Sequence, residues 1–392
     1  MTAQLIDTRS DATLWSGKYK GTLDDVFAIQ EEVSRAIVDS LRVTLTPTEE
    51  RKLAAPPTQS GYAYDVYLRA RREIWGFTKE GIDRGRESLE QALALVGDNV
   101  LLYKGLGLAW WMYVNAGHTA DAMYLDKAEE FAHRILSLEP GSAHGTSLLG
   151  LIAIQRGDIA DWIRHMSAAH SADPHDPEHG TWLGLGWVWA GFPQRARPIL
   201  EQQLAVDPYS AYVLYGLGSL AWQDGRYDEA IEIFERTRRL MPEHTGVQML
   251  LYQMHASKGD LPEVVDTLDA SGAPPESSPL ATLGHILKFA ALGRTDMVDR
   301  LYSEAFGAAM WPDAQYTHIM AQAYAMLGRT VDALRWLERS FERGTINYPF
   351  VSRRDPLLAN IRHDPRFDAL MDRMKAKWEG FEAELAPISC RS

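Results

Sequence analysis

The chain of 392 residues has a single cysteine, Cys390, and it lacks both a basic stripe and a long apolar run. One cysteine cannot form a disulfide or a thiolate-rich metal site within the chain, which fits a reducing compartment. The formal charge of −13 argues against nucleic acid as a partner, because nucleic-acid binders present clustered basic residues. The longest apolar runs, Leu106 to Val114 and Leu148 to Ile154, fall far short of the roughly 18 residues that a membrane span needs. The first residues do not form a secretory signal, so we expect a cytoplasmic protein.

A repeat of 34 residues runs through the middle of the chain. Prolines recur at that interval, and Leu-Gly pairs recur at the same interval in the same frame, each glycine 24 residues before a proline. The prolines are Pro140, Pro174, Pro208 and Pro242, and the glycines are Gly150, Gly184 and Gly218. Small and large residues also recur in a fixed order after the last two glycines, at Ala196 and Leu200 and again at Ala230 and Phe234. The sequence therefore predicts a stack of similar helix pairs.

Each recurring residue has a physical reason in such a stack. Two helices approach closely where small residues face each other, so we expect Gly184 and Gly218 of the first helices to face Ala196 and Ala230 of the second. Gly191 and Gly225 fall at the turns, where a positive φ favours glycine. A 34-residue period with these packing residues resembles the tetratricopeptide repeat. It predicts an all-α fold, a tetratricopeptide-type α-solenoid of about eight helix pairs over residues 61–344.

The two ends of the chain do not repeat. Residues 1–46 contain two short strand-like segments, Ala3 to Ile6 and Thr13 to Trp15, and an amphipathic helix from Asp24 to Leu41. Because a lone hairpin is marginal in water, we interpret this part as the remnant of an α/β domain that starts outside the chain. It would otherwise dock on the solenoid or on a second copy, forming a homodimer. Residues 47–60 are predicted as a linker, and residues 345–392 as a C-terminal linker followed by a helix that starts at Asp364-Pro365 and caps the last pair.

A second resemblance lies in the first 45 residues and at the end of the array. Thr2 to Asp7, Leu14 to Gly21 and Asp24 to Leu41 look like the end of the TolB-like domain of bacterial multidomain signalling proteins, and Asp355 to Met371 looks like the usual end of their arrays. In those proteins a class III nucleotide cyclase, a serine/threonine kinase or a DNA-binding domain comes first. The resemblance implies a regulatory or sensory half of such a protein. None of the catalytic residues of those domains has a counterpart here.

The sequence offers no clear site for chemistry. The glycine clusters that begin at Gly105, Gly184 and Gly216 lack the third glycine of a dinucleotide loop and fall at packing positions within helices. His175 and His179 have an i, i+4 spacing that could bind a metal, but Pro177 lies between them, and a polar surface turn explains them as well. We therefore predict no enzyme activity, no cofactor and no metal.

The concave face of the predicted solenoid carries several large aromatic residues. In the repeat frame, positions 2, 5, 9, 12 and 13 of each pair point into the groove, and rigid aromatic side chains are typical of binding hot spots. The alternative is that the rings only pack between neighbouring first helices. The predicted groove residues are Trp111, Gln155, Leu185, Trp189, Tyr212, Tyr215, Trp222 and Gln223.

These patterns favour a non-catalytic scaffold that binds a protein or peptide partner. An apolar or aromatic peptide, such as an amphipathic helix, suits the groove better than a charged chain end, because the groove lacks a Lys and Asn clamp. The alternative is the regulatory portion of a bacterial nucleotide cyclase or serine/threonine kinase whose catalytic domain is not in this chain.

Overall fold

The computed structural model describes residues 2–21, 25–47, 50, 53, 60–242, 244–270 and 272–385. Cys390, Asp24 and most of the predicted linker 47–60 lie outside these residues. The described chain begins with an antiparallel hairpin of β1 (Thr2–Asp7) and β2 (Ala12–Lys18), which pairs Leu5 with Trp15 and has an irregularity after Leu5. Both strands are longer than the sequence predicts. The helix α1 (Val26–Ser40) follows, and its Phe27 ring lies 5.3 Å from the Tyr64 ring at the start of the repeats.

Helix pairs occupy residues 61–342, and in the described part of the chain there are eight of them. The pairs are α2 (Gly61–Ile74) with α3 (Lys79–Val96), α4 (Val100–Asn115) with α5 (Met123–Leu138), α6 (Ala143–Arg156) with α7 (Ile159–Ala172), α8 (Pro177–Ala190) with α9 (Pro193–Val206), α10 (Ala211–Gln223) with α11 (Tyr227–Leu240), α12 (Thr245–Lys258) with α13 (Leu261–Ala270), α14 (Pro279–Ala291) with α15 (Thr295–Leu301) and α16 (Glu304–Met310), and α17 (Ala314–Met326) with α18 (Thr330–Glu342). Short helical turns at Phe350–Arg354 and Pro356–Ile361 lead to α19 (Pro365–Leu385).

The turn glycines adopt the expected conformation. Gly191 and Gly225 have φ values of 83° and 78°, a region in which a Cβ atom is strained. The helix glycines pack differently from the prediction. The atoms nearest to a Cβ built on Gly184 belong to Leu200, and those nearest to one built on Gly218 belong to Phe234, in each case at 2.7 to 2.8 Å. The missing side chain thus makes room for the large residue of the second helix rather than for its alanine.

The second helix of the seventh pair is interrupted. The chain leaves the helical conformation at Tyr302, and Ser303 caps the new helix α16 by accepting a hydrogen bond from the Phe306 N–H. A serine at an N-cap position competes effectively with helix continuation, because its hydroxyl satisfies a free backbone donor. Val298, in the first part of the interrupted helix, still occupies its buried packing position.

The solenoid curls far enough for its late repeats to touch its early ones. The Tyr316 hydroxyl at the start of α17 donates to the Asn115 carbonyl at the end of α4, at 2.5 Å. Gln155 of α6 donates through Nε2 to the Asp313 carboxylate at 3.2 Å, and Arg343 donates to the Gln155 carbonyl. The concave side of the superhelix is therefore enclosed by both ends of the array.

The segment after the last pair lies against the concave side. Asn347 donates through Nδ2 to Gln223 Oε1 at 3.0 Å, and the Phe350 ring lies 4.5 Å from the Trp222 ring. Asp355 is fully buried and accepts hydrogen bonds from Gln322 Nε2 and His318 Nε2, each at 2.8 Å. The segment is thus tied to first helices of several pairs.

Helix α19 docks across the array near the turn between α8 and α9. The Trp378 and Phe381 rings stack on Phe192, the residue between α8 and α9, with ring centroids at 5.4 and 5.9 Å. Arg195 of α9 forms an exposed ion pair with Glu382 at 2.6 Å. This helix therefore covers the middle of the solenoid as well as the last pair.

Candidate functional site

The first helices of the pairs are buried on nearly every side. In α4 and α8 almost every position is apolar or small and most side chains are buried. In α12 and α17 most side chains are also buried, including polar ones such as Gln253 and His318. Helices that are hydrophobic all round lie in a protein interior, whereas the second helices, such as α11 and α18, have one apolar stripe and one solvated face. The concave side of this solenoid is consequently an interior.

Within that interior lies a cavity of about 170 Å³. Side chains from α4, α6, α8, α10, α12 and α17 surround it, together with residues from the turn after α2 and from the segment after α18. Its aromatic wall consists of Phe77, Trp111, Trp162, Trp182, Trp189, Tyr212, Tyr215 and Tyr316. The closure of the superhelix creates this space, because α17 supplies one side and α6 to α10 supply the other.

The aromatic rings on one side of the cavity form a connected cluster. Trp182 lies with its ring centroid 6.0 Å from that of Trp111 and 5.5 Å from that of Tyr212. Trp75, at the end of α2, stacks on Trp182 at 6.3 Å and meets Tyr212 edge to face at 5.1 Å. Edge-to-face and stacked contacts of this kind stabilise the arrangement of the rings in the wall.

A few polar groups interrupt the apolar wall. The Tyr212 hydroxyl and Gln155 Oε1 are buried and have no hydrogen-bond partner among the described residues. Burial raises the pKa of Tyr212 well above its usual value, so its hydroxyl keeps its proton. Burial also raises the pKa of Asp313, although backbone N–H groups of Tyr316 and Gln315 and the Gln155 amide bond its carboxylate. The wall of the cavity therefore contains a hydroxyl and an amide oxygen that lack hydrogen-bond partners within the described part of the chain.

The structure places six of the eight predicted groove residues around this cavity. They are Trp111, Gln155, Leu185, Trp189, Tyr212 and Tyr215. Of these, Trp111 also has a structural contact, since its Nε1 donates to the Leu151 carbonyl at 2.8 Å. The other two, Trp222 and Gln223, lie under the segment after α18, and Trp222 Nε1 donates to Ser257 Oγ at 3.1 Å.

Several residues of the site were missed by the sequence analysis. Trp182 falls between the expected groove positions, while Phe77, His244, Asp313 and Tyr316 come from turns and late repeats that the open-groove picture left out. The sequence did contain a sign of the closed concave side. Several first helices are hydrophobic all round, which an open concave face does not require. The prediction of a polar surface turn at His179 is wrong, because this side chain is fully buried.

Comparison with known proteins agrees with this architecture. The family model of the tetratricopeptide repeat matches residues 190–254. The chain is an all-α solenoid of the tetratricopeptide type, as the 34-residue period predicts. No helix among the described residues is long and apolar enough to cross a membrane.

Among relatives, the chain is similar to the "Putative adenylate cyclase 3" of Rhizobium meliloti (strain 1021), with 28% identity over 171 residues. The match covers 43% of this chain and 28% of the relative, so it spans little more than a quarter of that protein. It confirms the resemblance to repeat regions associated with bacterial cyclases.

Similar solved structures include a tetratricopeptide repeat protein from Parabacteroides merdae ATCC 43184, 14% identical with a TM-score of 0.40, covering 71% of this chain and 99% of that chain. MamA of AMB-1 is 20% identical with a TM-score of 0.30, covering 43% of this chain and 94% of that chain.

Proposed function

We propose that the chain is a non-catalytic protein-interaction scaffold whose aromatic-walled cavity takes one aromatic side chain of a protein or peptide partner. The observation that carries the proposal is the 170 Å³ space walled by aromatic rings on the concave side. Partly apolar pockets with a few fixed polar groups are the usual form of a binding site.

The volume of the cavity sets the size of the occupant. A cavity of roughly 150 Å³ lined by apolar side chains admits benzene, so a space of 170 Å³ suits a single ring. An entire amphipathic helix does not fit, which narrows the peptide recognition expected from the sequence to one anchoring side chain. The concave surface near Trp222 and Gln223 is already covered by the chain's own Asn347 and Phe350.

The polar groups of the wall favour an anchor with a hydrogen-bonding edge. A small rotation of the side chain would let Gln155 Oε1, now buried, accept from an indole N–H or a phenol O–H, and a similar rotation would let the Tyr212 hydroxyl donate to a backbone carbonyl beside the anchor. Leaving either group unpaired in a filled cavity would cost about 1–3 kcal/mol. We therefore expect tryptophan and tyrosine anchors to bind more tightly than phenylalanine, and phenylalanine more tightly than aspartate.

The test fills the cavity and leaves the surface alone. In the variant Leu185→Phe a larger side chain occupies the space, whereas Leu95→Phe makes the same change at a position that is 76% exposed. Binding of indole, and of short peptides with Trp, Tyr, Phe or Asp at the centre, is measured by calorimetry. We expect Leu185→Phe to bind indole and the Trp peptide at least about 10-fold more weakly, which is 1.4 kcal/mol, with its helicity preserved. Leu95→Phe should bind them as tightly as the unmodified chain does.

Equal affinity of Leu185→Phe and the unmodified chain for the Trp peptide would show that the cavity is not the binding site. A Tyr212→Phe variant adds a finer readout, because it removes only the unpaired hydroxyl. Its unfolding should be unchanged, and only its affinity for the peptide should fall. Partners recovered with the intact chain but not with Leu185→Phe, identified by mass spectrometry, would supply the natural anchor sequence.

A second candidate function is the regulatory portion of a bacterial signalling enzyme in the cytoplasm. The observation that favours it is the match of 171 residues to a protein named as an adenylate cyclase. In this proposal residues 1–46 are the remnant of a TolB-like domain and residues 47–60 a linker to the array. A cyclase or kinase reading frame fused to, or beside, the gene would support it, and an unrelated neighbourhood would count against it.

Because of the N-terminal hairpin, we also propose that the chain forms a homodimer. Its two strands pair only with each other among the described residues, and such a hairpin is marginal alone. Pairing with a second copy would extend the sheet. Light scattering of the intact chain and of a chain lacking residues 1–46 distinguishes the two states, since only the former should dimerise.

A further inference from the structure

Two histidines and an aspartate converge where α6 meets the start of α8. His144 lies in the first turn of α6, Asp176 is the N-cap of α8, and His179 lies in the first turn of α8. His144 and His179 are 35 residues apart, close to one repeat, so the stacking of successive first helices brings them face to face. The i, i+4 pair of His175 and His179 is not the arrangement that the fold creates.

The potential ligand atoms of these three residues point toward one another. One nitrogen of each histidine and one carboxylate oxygen lie within 4.8 Å of one another, and Asp176 Oδ2 is 3.8 Å from His179 Nε2. The other carboxylate oxygen, Oδ1, accepts a hydrogen bond from the Glu178 N–H at 2.8 Å. The aspartate is thus held in place by its capping bond with one oxygen directed to the histidines.

The nitrogens at this junction are buried without partners. His179 is fully buried, and neither of its ring nitrogens has a hydrogen-bond partner in the described structure. His144 Nδ1 is also buried without a partner. A polar group buried without a hydrogen bond costs free energy, and the great majority of such groups in folded proteins are satisfied. A bound cation would satisfy one nitrogen of each ring.

We propose that His144, Asp176 and His179 form a structural site for a divalent transition metal, with zinc as the best match. Two imidazoles and a carboxylate are ligands that Zn²⁺ accepts, at distances of about 2.0–2.2 Å. Ligand atoms around such an ion are roughly 3.4 Å apart, so the present spacing of up to 4.8 Å closes by side-chain rotation. The site joins two successive repeats, because His144 comes from one first helix and the other ligands from the next.

The charges around the site are compatible with a cation. Lys104 is a cation whose charge acts on the His144 ring. Lys104 itself is paired with Glu178, whose Oε2 lies 2.9 Å from Nζ, and Arg71 approaches the same carboxylate at 3.9 Å. The positive charge of Lys104 is therefore balanced by Glu178.

The experiment uses the full chain without a polyhistidine tag, stripped of metals with a chelator that is then removed. Co²⁺ and Zn²⁺ are titrated separately. We expect one equivalent of Co²⁺ to bind with the visible absorption of a low-coordinate nitrogen and oxygen site, Zn²⁺ to displace it, and Zn²⁺ to raise the unfolding temperature.

Three variants decide whether these residues are the ligands. His144→Gln and Asp176→Asn should weaken metal binding at least about 10-fold, since loss of even an outer-sphere partner costs 10–100-fold. Asparagine is an equally good N-cap, so Asp176→Asn keeps α8 intact, which circular dichroism verifies. His133→Gln removes an exposed histidine and should bind like the unmodified chain. No stoichiometric binding, or equal binding by all three variants, would overturn the proposal.

Discussion

Two half-buried histidines, His144 and His244, have pKa values lowered to about 4 because loss of solvent contact disfavours their charged forms. In the unfolded chain each would titrate near 6.5. The unfolded state therefore binds more protons than the folded state between pH 6.5 and pH 4, and stability falls as the pH falls through that window. Burial opposes ionisation of Glu178, but the Lys104 charge outweighs it and lowers the pKa of this carboxyl, which adds a further loss of stability in acid.

The contribution of His244 can be separated from the others. Its ring lies 4.4 Å from the Phe77 ring, and its Nδ1 accepts a hydrogen bond from the Gly246 N–H as the cap of α12. Asparagine keeps a capping acceptor but does not titrate. The free energy of unfolding of the unmodified chain should fall between pH 7 and pH 5. We expect this fall to be smaller by about 1–2 kcal/mol in His244→Asn than in the unmodified chain.

Urea denaturation at the two pH values, with a chelator present, measures this difference. The exposed His133→Asn should show the same pH dependence as the unmodified chain. If His244→Asn is as acid-sensitive as the unmodified chain, His244 is charged in the folded state.

At the scale of single residues, the repeat frame predicted the large rings that face inward but not all of their neighbours. Trp189, Tyr212 and Tyr215 occupy positions that a regular array directs to its concave face, and all three line the cavity. Trp182 lies one position beyond an expected groove residue, and the cluster of Trp75, Trp111, Trp182 and Tyr212 depends on contacts between non-adjacent pairs. A frame that describes one pair at a time does not contain those contacts.

At the scale of elements, the segment after α18 holds the concave side closed through Phe350. Its ring is buried against Trp222 and lies 6.4 Å from the His318 ring. Phe350→Ala should lower the unfolding free energy by about 3–5 kcal/mol, through lost burial and the cavity left behind. The control Val331→Ala removes an apolar side chain that is 66% exposed and should change it by less than about 0.5 kcal/mol.

Chemical denaturation of both variants checks this expectation. A loss of less than about 1 kcal/mol in Phe350→Ala would mean that the segment is not docked in solution.

Helix and turn positions followed from the sequence where the repeat is regular. The turn glycines and the buried Ala196 and Ala230 lie where the 34-residue period predicts them. The break between α15 and α16 was not predicted, because Ser303 reads as an ordinary helix residue until its side chain is seen to cap the next helix. The period alone also did not show whether alanine or the larger residue faces each helix glycine.

At the scale of the whole molecule, closure of the superhelix predicts compact dimensions. A compact chain of 392 residues has a radius of gyration of about 21 Å by the usual scaling for globular proteins, whereas an open array is longer. Small-angle X-ray scattering at concentrations low enough to keep the chain monomeric should give a value near this figure.

A double variant that removes the bridging groups, Asp313→Ala with Arg343→Ala, should expand measurably while keeping its helicity. An unmodified chain that already scatters as an extended rod would contradict the closed arrangement.

Closure could not be predicted from the repeat, because the curvature of a solenoid is the sum of small rotations between neighbouring pairs. An error of a few degrees in each step separates an open spiral from one whose ends meet. The contact of Tyr316 with Asn115 joins residues 201 positions apart, and no local pattern encodes it.

An ordinary solenoid can unfold repeat by repeat. Each repeat contacts only its neighbours, so the terminal repeats unfold first. In this chain Tyr316, Asp313 and Arg343 form hydrogen bonds with α4 and α6. Late repeats therefore stabilise early ones directly. Unfolding of a late repeat therefore removes hydrogen bonds that stabilise an early one, and the reverse also holds. The array should lose its structure in one cooperative step instead of fraying inward.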